Sequence, residues 1–154
     1  VSAAVGRRDV CDPMGYGSTS DTWSANPLSS AAVLATLDEF ESTDILERTR
    51  HLHEIFLKGL RRLKETGVIV NVRGEGMVFG IECGPLGALN ASQVANAVVE
   101  RCYLGKPNGD GIHLLGPLAN CVLRVSPPMC MTDTDAEASL QLLFEFVSDV
   151  ASKL

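Results

Sequence analysis

Hydrophobic positions recur with two different periods along the 154-residue chain. From Pro27 onward, apolar residues follow one another at steps of three and four, which predicts a helix with proline in its first turn. A second helix is predicted to begin at Asp44, three residues before Glu47, and to end near Gly67. Its apolar stripe consists of Ile45, Leu52, Phe56, Leu60 and Leu63.

After Gly67 the pattern changes to short runs of β-branched and apolar residues. "VIVNV" and "MVFGIEC" lie on either side of Arg73-Gly74-Glu75-Gly76, an arrangement typical of a β-hairpin with a glycine-bearing loop. A third helix is predicted around 92–102, followed by a strand at "VLRVS" that Pro127-Pro128 stops. Thr132, with Asp135 three residues later, is predicted to cap the last helix.

The order helix, helix, hairpin, helix, strand, helix predicts an α+β fold, in which helices pack on a small, largely antiparallel sheet. The apolar faces of the strands and of the last helix should then be buried together. The residues predicted to share this core are Val70, Phe79, Ile81, Leu123, Leu140, Leu143 and Val147. The pattern alone leaves open a catalytic lobe, a ligand-binding module and an interaction domain.

Composition and charge restrict the classes of partner and site that are expected for this chain. The chain has 21% charged residues and a formal net charge of -6, which gives no electrostatic reason to bind nucleic acid or a membrane surface. No apolar run approaches the roughly 20 residues needed to cross a bilayer. Five cysteines without a CxxC pair favour a reducing cytoplasm over a disulfide framework or a zinc site. The spacing of His51 and His53 points their rings to different helix faces, so we interpret them as helix surface and predict no metal site.

The stretch "GSTSDTWSANPLSS", residues 17–30, places hydroxyl groups directly before the first predicted helix. The N–H groups behind Pro27 are unpaired at a helix N-terminus, and Thr22 could add a hydrogen bond to a phosphate oxygen there. Ser, Thr, Asp and Asn are also ordinary caps and turn formers at this position. From the residues alone, capping is the preferred interpretation.

Three further features have competing interpretations. Gly74-x-Gly76-x-x-x-Gly80 is followed by a strand and not by a helix, so we interpret it as a turn and not as a dinucleotide-binding loop. Arg124, between apolar neighbours, is interpreted from the residues alone as part of a surface salt bridge. Arg73 could face an active site or form a structural ion pair.

Three segments resemble motifs of one family, in that family's order. "TWSANPLSSAAVLATLDEFE" resembles Thr-aromatic-x-Gly-Asn-Pro-Leu-x-x-Ala-Ala of the class III pyridoxal-phosphate aminotransferases, which include the ornithine, acetylornithine and 4-aminobutyrate enzymes. "VRGEGMVFGIE" is similar to their Val-Arg-Gly-x-Gly-Leu-x-x-Gly-Ile-Glu, and "VLRVSPPMCMTDTDAEASLQLL" to their Arg-Leu-Ser-Pro-Pro strand and Thr-capped last helix. "VSAAVGRRDV" resembles the strand that follows the family's Schiff-base lysine segment.

The resemblance implies the carboxy-terminal part of such an enzyme, and a start at Val1 without Met fits a fragment. Residues 1–26 would be the end of the large cofactor domain with a phosphate-contacting loop, 27–41 a connecting helix and 42–154 the small domain. The fold would be that of the C-terminal domain of fold-type I pyridoxal-phosphate-dependent transferases. The resemblance also implies a cytoplasmic homodimer that acts on an amino donor and a 2-oxo acid, with pyridoxal 5'-phosphate bound mainly by the absent large domain.

The resemblance also assigns site residues. Thr22 would reach across the dimer interface to the cofactor phosphate, and Thr19 is a second candidate because "GSTSDT" is longer than the family's usual approach. Arg124 would bind the substrate carboxylate, a role that suits a planar guanidinium. No catalytic residue is expected in this chain, because the Schiff-base lysine and the acid at the pyridine nitrogen are missing. The lysines that it does contain, Lys58, Lys64, Lys106 and Lys153, lie on helix patterns or in a loop without a family counterpart. The alternative is a non-catalytic ligand-binding or assembly module that retains the small-domain fold.

Overall fold

The computed structural model describes residues 5–15, 17–18, 22–117 and 119–153. It divides the chain into two compact units, Val1–Asp44 and Ile45–Leu154. In the described residues, no helix combines the length and the apolar character needed to cross a membrane.

The first unit contains the short helix α1, Arg8–Cys11, and the longer α2, Pro27–Ser42. The helix predicted to begin at Pro27 is confirmed. Asn26 caps α2, because its side-chain oxygen accepts a hydrogen bond from the Ser29 N–H at 2.9 Å. Where "VSAAVGRRDV" resembles a strand, Arg8–Cys11 is helical instead, and residues 1–4 lie outside the described residues.

The second unit begins with α3, which ends in a 3-10 turn closed by Gly67 in a left-handed conformation, φ 75°. A capping box starts α4, in which Asn90 and Gln93 each bind the other's backbone N–H. The predicted cap of the last helix is confirmed, since the Asp135 N–H donates to Thr132 Oγ1 at 3.1 Å. The elements of this unit are α3 Ile45–Arg62, the 3-10 turn Leu63–Thr66, β1 Ile69–Glu75, β2 Val78–Cys83, α4 Ala91–Leu104, β3 Val122–Val125 and α5 Asp133–Lys153.

The three strands form one antiparallel sheet in the order β1-β2-β3, with β2 in the centre. The predicted hairpin is present, but the prediction that its loop lies at 73–76 is wrong. Arg73, Gly74 and Glu75 continue β1 and pair with β2. Of residues 73–76, only Gly76 adopts a positive φ, 56°, so the chain reverses at Gly76 and Met77.

Side chains of α3, α4, α5 and one face of the sheet form a continuous hydrophobic core. Six of the seven residues predicted to be buried together are in it, which confirms the predicted α+β layering. The exception is Val70, which is 49% exposed. Strand pairing shifts between Ile69 and Asn71, and this bulge interrupts the alternation that the prediction assumed. The six residues in the core are Phe79, Ile81, Leu123, Leu140, Leu143 and Val147.

Candidate functional site

The sheet face opposite the core carries two arginines on either side of a glycine. Arg73 of β1 pairs with Gly80 of β2, and Gly80 pairs in turn with Arg124 of β3. Directly paired residues point to the same face, so both arginines and the glycine lie on the exposed side. A Cβ built on Gly80 would lie 3.9 Å from Arg73 Cγ and 4.0 Å from Arg73 Nε. The missing side chain therefore leaves space between the two arginines.

This space is a groove of about 280 Å³. The connection before β3 forms a further wall through Leu115, Gly116 and Ala119, while Val78 and Val122 line the sheet side. A groove of this size, mostly apolar but with guanidinium groups, suits a small anionic molecule. We refer to it below as the arginine groove.

The two arginines of the groove differ in their ion pairing. Arg73 donates from Nη1 to Glu82 Oε2 at 3.0 Å, so the structural ion pair considered for Arg73 is present. Asn71 Nδ2 lies 3.5 Å from the same carboxylate oxygen. Arg124 is exposed and has no hydrogen-bond or ion-pair partner among the described residues. The surface salt bridge that the residues alone favoured for Arg124 is thus not formed in this part of the chain.

The threonines singled out for a cofactor phosphate belong to the first unit. Thr22 is exposed, and its hydroxyl has no hydrogen-bond partner among the described residues, whereas Thr19 lies outside them. The turn that follows Thr22 is fixed by Asn26, whose Nδ2 donates to the Trp23 carbonyl at 2.9 Å. An exposed hydroxyl beside this turn suits one hydrogen bond to a phosphate oxygen.

The N-terminus of α2 has fewer unpaired backbone N–H groups for binding an anion than the sequence predicted. The Ser29 N–H, which was expected to be unpaired, donates to the Asn26 side chain, and Pro27 has no N–H. The capping interpretation of this stretch is therefore confirmed for Asn26. A phosphate contact at this position depends on the Thr22 hydroxyl and not on the capped amide.

Two of the four lysines form ion pairs with the surface of α5. Lys106 Nζ lies 2.6 Å from Glu145 Oε2, and Lys153 Nζ lies 2.8 Å from Asp149 Oδ2. These contacts lower the pKa of both carboxyl groups. The other two lysines are exposed on α3 and on the 3-10 turn, and none of the four lines the arginine groove.

The two histidines of α3 have structural contacts. His51 Nε2 lies 2.8 Å from Asp133 Oδ2, and His53 Nδ1 lies 2.8 Å from the Gly76 carbonyl oxygen. The His53 ring also stacks on Phe79 with ring centroids 5.4 Å apart. Within the described ranges, no three or more His, Cys, Asp or Glu residues are arranged to hold a metal ion.

Sequence reasoning missed Glu82, which pairs with Arg73 beside the groove, and the groove wall formed by Leu115, Gly116 and Ala119. Glu82 could have been found from strand alternation, because Gly80 and Glu82 are two residues apart and share a face. The necessary signal was the hairpin register, which the prediction placed incorrectly. Nothing local at Leu115, Gly116 or Ala119 indicates that these residues line a groove beside the sheet.

Comparison with known proteins agrees with the motifs. The model of the family described as aminotransferase class-III matches residues 1–147. The ornithine aminotransferase of Staphylococcus carnosus is 30% identical over 141 residues, which are 92% of this chain and 32% of that protein. The leucine/methionine racemase of Thermococcus litoralis is 31% identical over 157 residues, covering 97% of this chain and 33% of that protein.

Solved structures agree with the fold. The crystal structure of the ornithine aminotransferase from Toxoplasma gondii ME49 matches with a TM-score of 0.78 and 24% identity, covering 97% of this chain and 33% of the other. At this identity the match shows the fold alone. The chain spans about a third of the length of these relatives. Because the family model matches 1–147 of the 154 residues, the chain belongs to the class III aminotransferase family.

Proposed function

We propose that the chain is part of a pyridoxal-phosphate-dependent aminotransferase that moves an amino group between an amino donor and a 2-oxo acid. The observation that carries the proposal is the Arg124 guanidinium, which has no partner among the described residues and lies in a small groove of a class III family chain. Pyridoxal phosphate, when bound, would supply the electron sink for chemistry at the amino-bearing carbon. This chain would supply the group that binds the substrate carboxylate.

Arg124 suits that role by its geometry and surroundings. A guanidinium offers two parallel N–H donors to the two oxygens of a carboxylate, which fixes the orientation of the bound acid as well as its position. Val78, Val122 and Leu115 line the groove around it. These side chains would contact the apolar part of a bound acid while the guanidinium binds its carboxylate.

For the cofactor phosphate, we propose Thr22 as the donor across a homodimer interface, with Thr19 as the second candidate. The support for Thr22 is its exposed hydroxyl, unpartnered among the described residues, on a turn that Asn26 orders. The capped amide of Ser29 is not part of this proposal. We also propose that residues 1–26 are the end of the cofactor domain, residues 27–41 a connecting helix and residues 42–154 the small domain.

By itself the 154-residue chain is proposed to be inactive and to depend on the large domain of a cytoplasmic, homodimeric parent enzyme. A Schiff-base lysine needs a position beside the cofactor and substrate. None of the four lysines lines the groove that holds Arg124, and two of them are ion-paired to α5. The supporting observation is therefore the placement of these lysines.

Two other functions have specific support. The racemase from Thermococcus litoralis is 31% identical to this chain, so this level of identity does not separate amino transfer from amino-acid racemisation. Arg124 would bind a carboxylate in either reaction. A non-catalytic module that retained the small-domain fold is the further alternative, and the coding sequence upstream of Val1 would show whether a lysine segment precedes it.

One experiment separates these functions. The protein encoded by the complete reading frame is incubated with pyridoxal phosphate, an L-amino acid and a 2-oxo acid, and products are followed by NMR and chiral chromatography. A new amino acid together with a new 2-oxo acid supports the proposed aminotransferase. Inversion of the amino acid without exchange supports the racemase, and an unchanged mixture for a range of donors supports the module.

A further inference from the structure

Glu82 occupies a symmetrical position with respect to the two arginines of the groove. It lies two residues after Gly80 on the central strand, so both project to the same face. Arg73 and Arg124 pair with Gly80 from opposite sides. Glu82 is therefore the diagonal neighbour of each arginine, and diagonal neighbours are within reach of long side chains.

Despite this symmetry, Glu82 pairs with one arginine only. Its Oε2 accepts a hydrogen bond from Arg73 at 3.0 Å, while Arg124 has no partner among the described residues. The Arg73 side chain lies close to the Gly80 backbone, since a Cβ on Gly80 would be 3.9 Å from Arg73 Cγ. Arg124, unpaired within the described part of the chain, thus coexists with a Glu82 carboxylate that Arg73 holds on the side of β1.

We propose that Arg73 is a positioning residue that holds the Glu82 carboxylate toward β1 and so keeps Arg124 available for a ligand carboxylate. Without Arg73, the arginine left beside Glu82 on this face is Arg124. An internal pair between Glu82 and Arg124 would then compete directly with the ligand. This inference rests on the carboxylate-binding role of Arg124 proposed above, but it concerns a different residue and has its own test.

The test uses the protein encoded by the complete reading frame, labelled with ¹⁵N, with sodium 2-oxobutyrate as the probe. Arginine side-chain Nε–H signals are recorded during the titration for the wild type, Arg73→Gln, Glu82→Gln and the double variant. We expect 2-oxobutyrate to shift the Arg124 signal in the wild type. Arg73→Gln should weaken the apparent affinity by up to about fivefold, which is the range of an exposed ion pair.

The double variant Arg73→Gln/Glu82→Gln should recover wild-type affinity, because the competing carboxylate is gone. If Arg73 had only a structural role, removal of its partner Glu82 would not restore the affinity that is lost in Arg73→Gln. Arg73→Lys, which keeps a cation beside Glu82, should bind as the wild type does. Arg50→Gln is the matched control, because Arg50 is also an exposed arginine paired with a carboxylate, at 2.7 Å from Glu47, but lies on α3.

Specific outcomes would overturn the inference. They are an unchanged affinity in Arg73→Gln, or a double variant that binds as weakly as Arg73→Gln. If Arg73→Gln does not fold, Glu82→Gln decides, because the proposal requires it to bind at least as tightly as the wild type. Arg124→Ala separates this inference from the proposed function: unchanged binding in that variant would contradict the role of Arg124 itself.

Discussion

Gly59 of α3 lies directly against Leu140 of α5. A Cβ built on Gly59 would be 2.5 Å from Leu140 Cδ1, which is too close for two carbon atoms that are not bonded to each other. Leu140 lies at the edge of the hydrophobic core and is 9% exposed, so a methyl group at residue 59 would force its side chain to shift. The absence of a side chain at residue 59 therefore lets the two helices pack closely at this point.

Gly59→Ala tests this packing, because two opposing effects meet there. Alanine favours a helix interior over glycine by about 1 kcal/mol, whereas overpacking a core typically costs about 1 to 3 kcal/mol. We expect the clash to exceed the propensity gain and to lower the free energy of unfolding by about 1 kcal/mol, measured by urea denaturation. Lys58→Ala, at the exposed neighbouring position, should stay within about 0.5 kcal/mol of the wild type. A more stable Gly59→Ala would show that the helices separate freely.

The start of α5 is linked to α3 through one carboxylate. Asp133 pairs with His51 at 2.8 Å and also with Arg48, and these hydrogen bonds lower the pKa of Asp133. A carboxyl group whose pKa is lowered by folding stabilises the fold above its unfolded pKa, and this contribution is lost as the pH falls through the folded value. We expect Asp133→Asn to be less stable than the wild type at pH 7 and to approach it below about pH 4.

Urea unfolding at a series of pH values measures this convergence. Glu137→Gln is the control, because Glu137 is an exposed carboxylate of the same helix without an ion-pair partner among the described residues. It should leave the pH dependence of stability close to that of the wild type. A constant difference between Asp133→Asn and the wild type down to pH 3 would contradict the electrostatic explanation.

The five thiols should differ in reactivity. Burial raises the pKa of Cys83 and of Cys102 to about 12, with a smaller contribution from Cys121 at Cys83. Because the thiolate is the reactive form, both should resist iodoacetamide at pH 8 while the exposed Cys130 is alkylated. Peptide mass spectrometry over time measures the order, and addition of urea should remove the protection. Alkylation of Cys102 before Cys130 in the folded chain would contradict the packing of α4.

The order of elements was predictable because the helices have strong apolar stripes and the strands have β-branched runs. The hairpin turn was misplaced because both Gly74 and Gly76 resemble turn residues, and only the fold shows why each is there. A Cβ on Gly74 would lie 2.4 Å from the Val78 carbonyl oxygen, so this glycine permits close strand pairing. Val70 was misassigned because a bulge has no clear signal in a β-branched run.

The candidate site was predictable only in part. Arg124 was found through motif resemblance, whereas its lack of a partner among the described residues could be seen only in the structure. The partner of Arg73 depends on the register between β1 and β2, which in turn depends on the turn position. The groove wall at Leu115, Gly116 and Ala119 comes from a connection that the sequence shows only as a proline- and glycine-bearing stretch.

Thr22→Ala tests the proposed phosphate contact in the protein encoded by the complete reading frame. Removal of one hydrogen bond to a charged group should cost roughly 1.5 to 3 kcal/mol of cofactor affinity. Fluorescence titration with pyridoxal phosphate measures this loss, and saturating cofactor should restore most of the turnover. Thr19→Ala is made in parallel, since it is the second candidate. A loss in Thr19→Ala alone would transfer the role to Thr19, and unchanged affinity in both would contradict a threonine contact in this stretch.

Arg124→Ala tests the carboxylate site in the same full-length protein. If Arg124 binds the substrate carboxylate through two charge-assisted hydrogen bonds, its removal should cost roughly 2 to 5 kcal/mol in kcat/KM, because the substrate charge then loses both of these partners. The decarboxylated analogue of the donor lacks the group that Arg124 binds, so its kcat/KM should change much less. Cofactor affinity should stay at the wild-type value, which distinguishes this variant from Thr22→Ala. Arg124→Lys should not restore activity, because an ammonium group lacks the planar pair of donors. Steady-state kinetics with both donors measure the difference, and equal losses on the two donors would show that Arg124 stabilises the fold and does not bind the carboxylate.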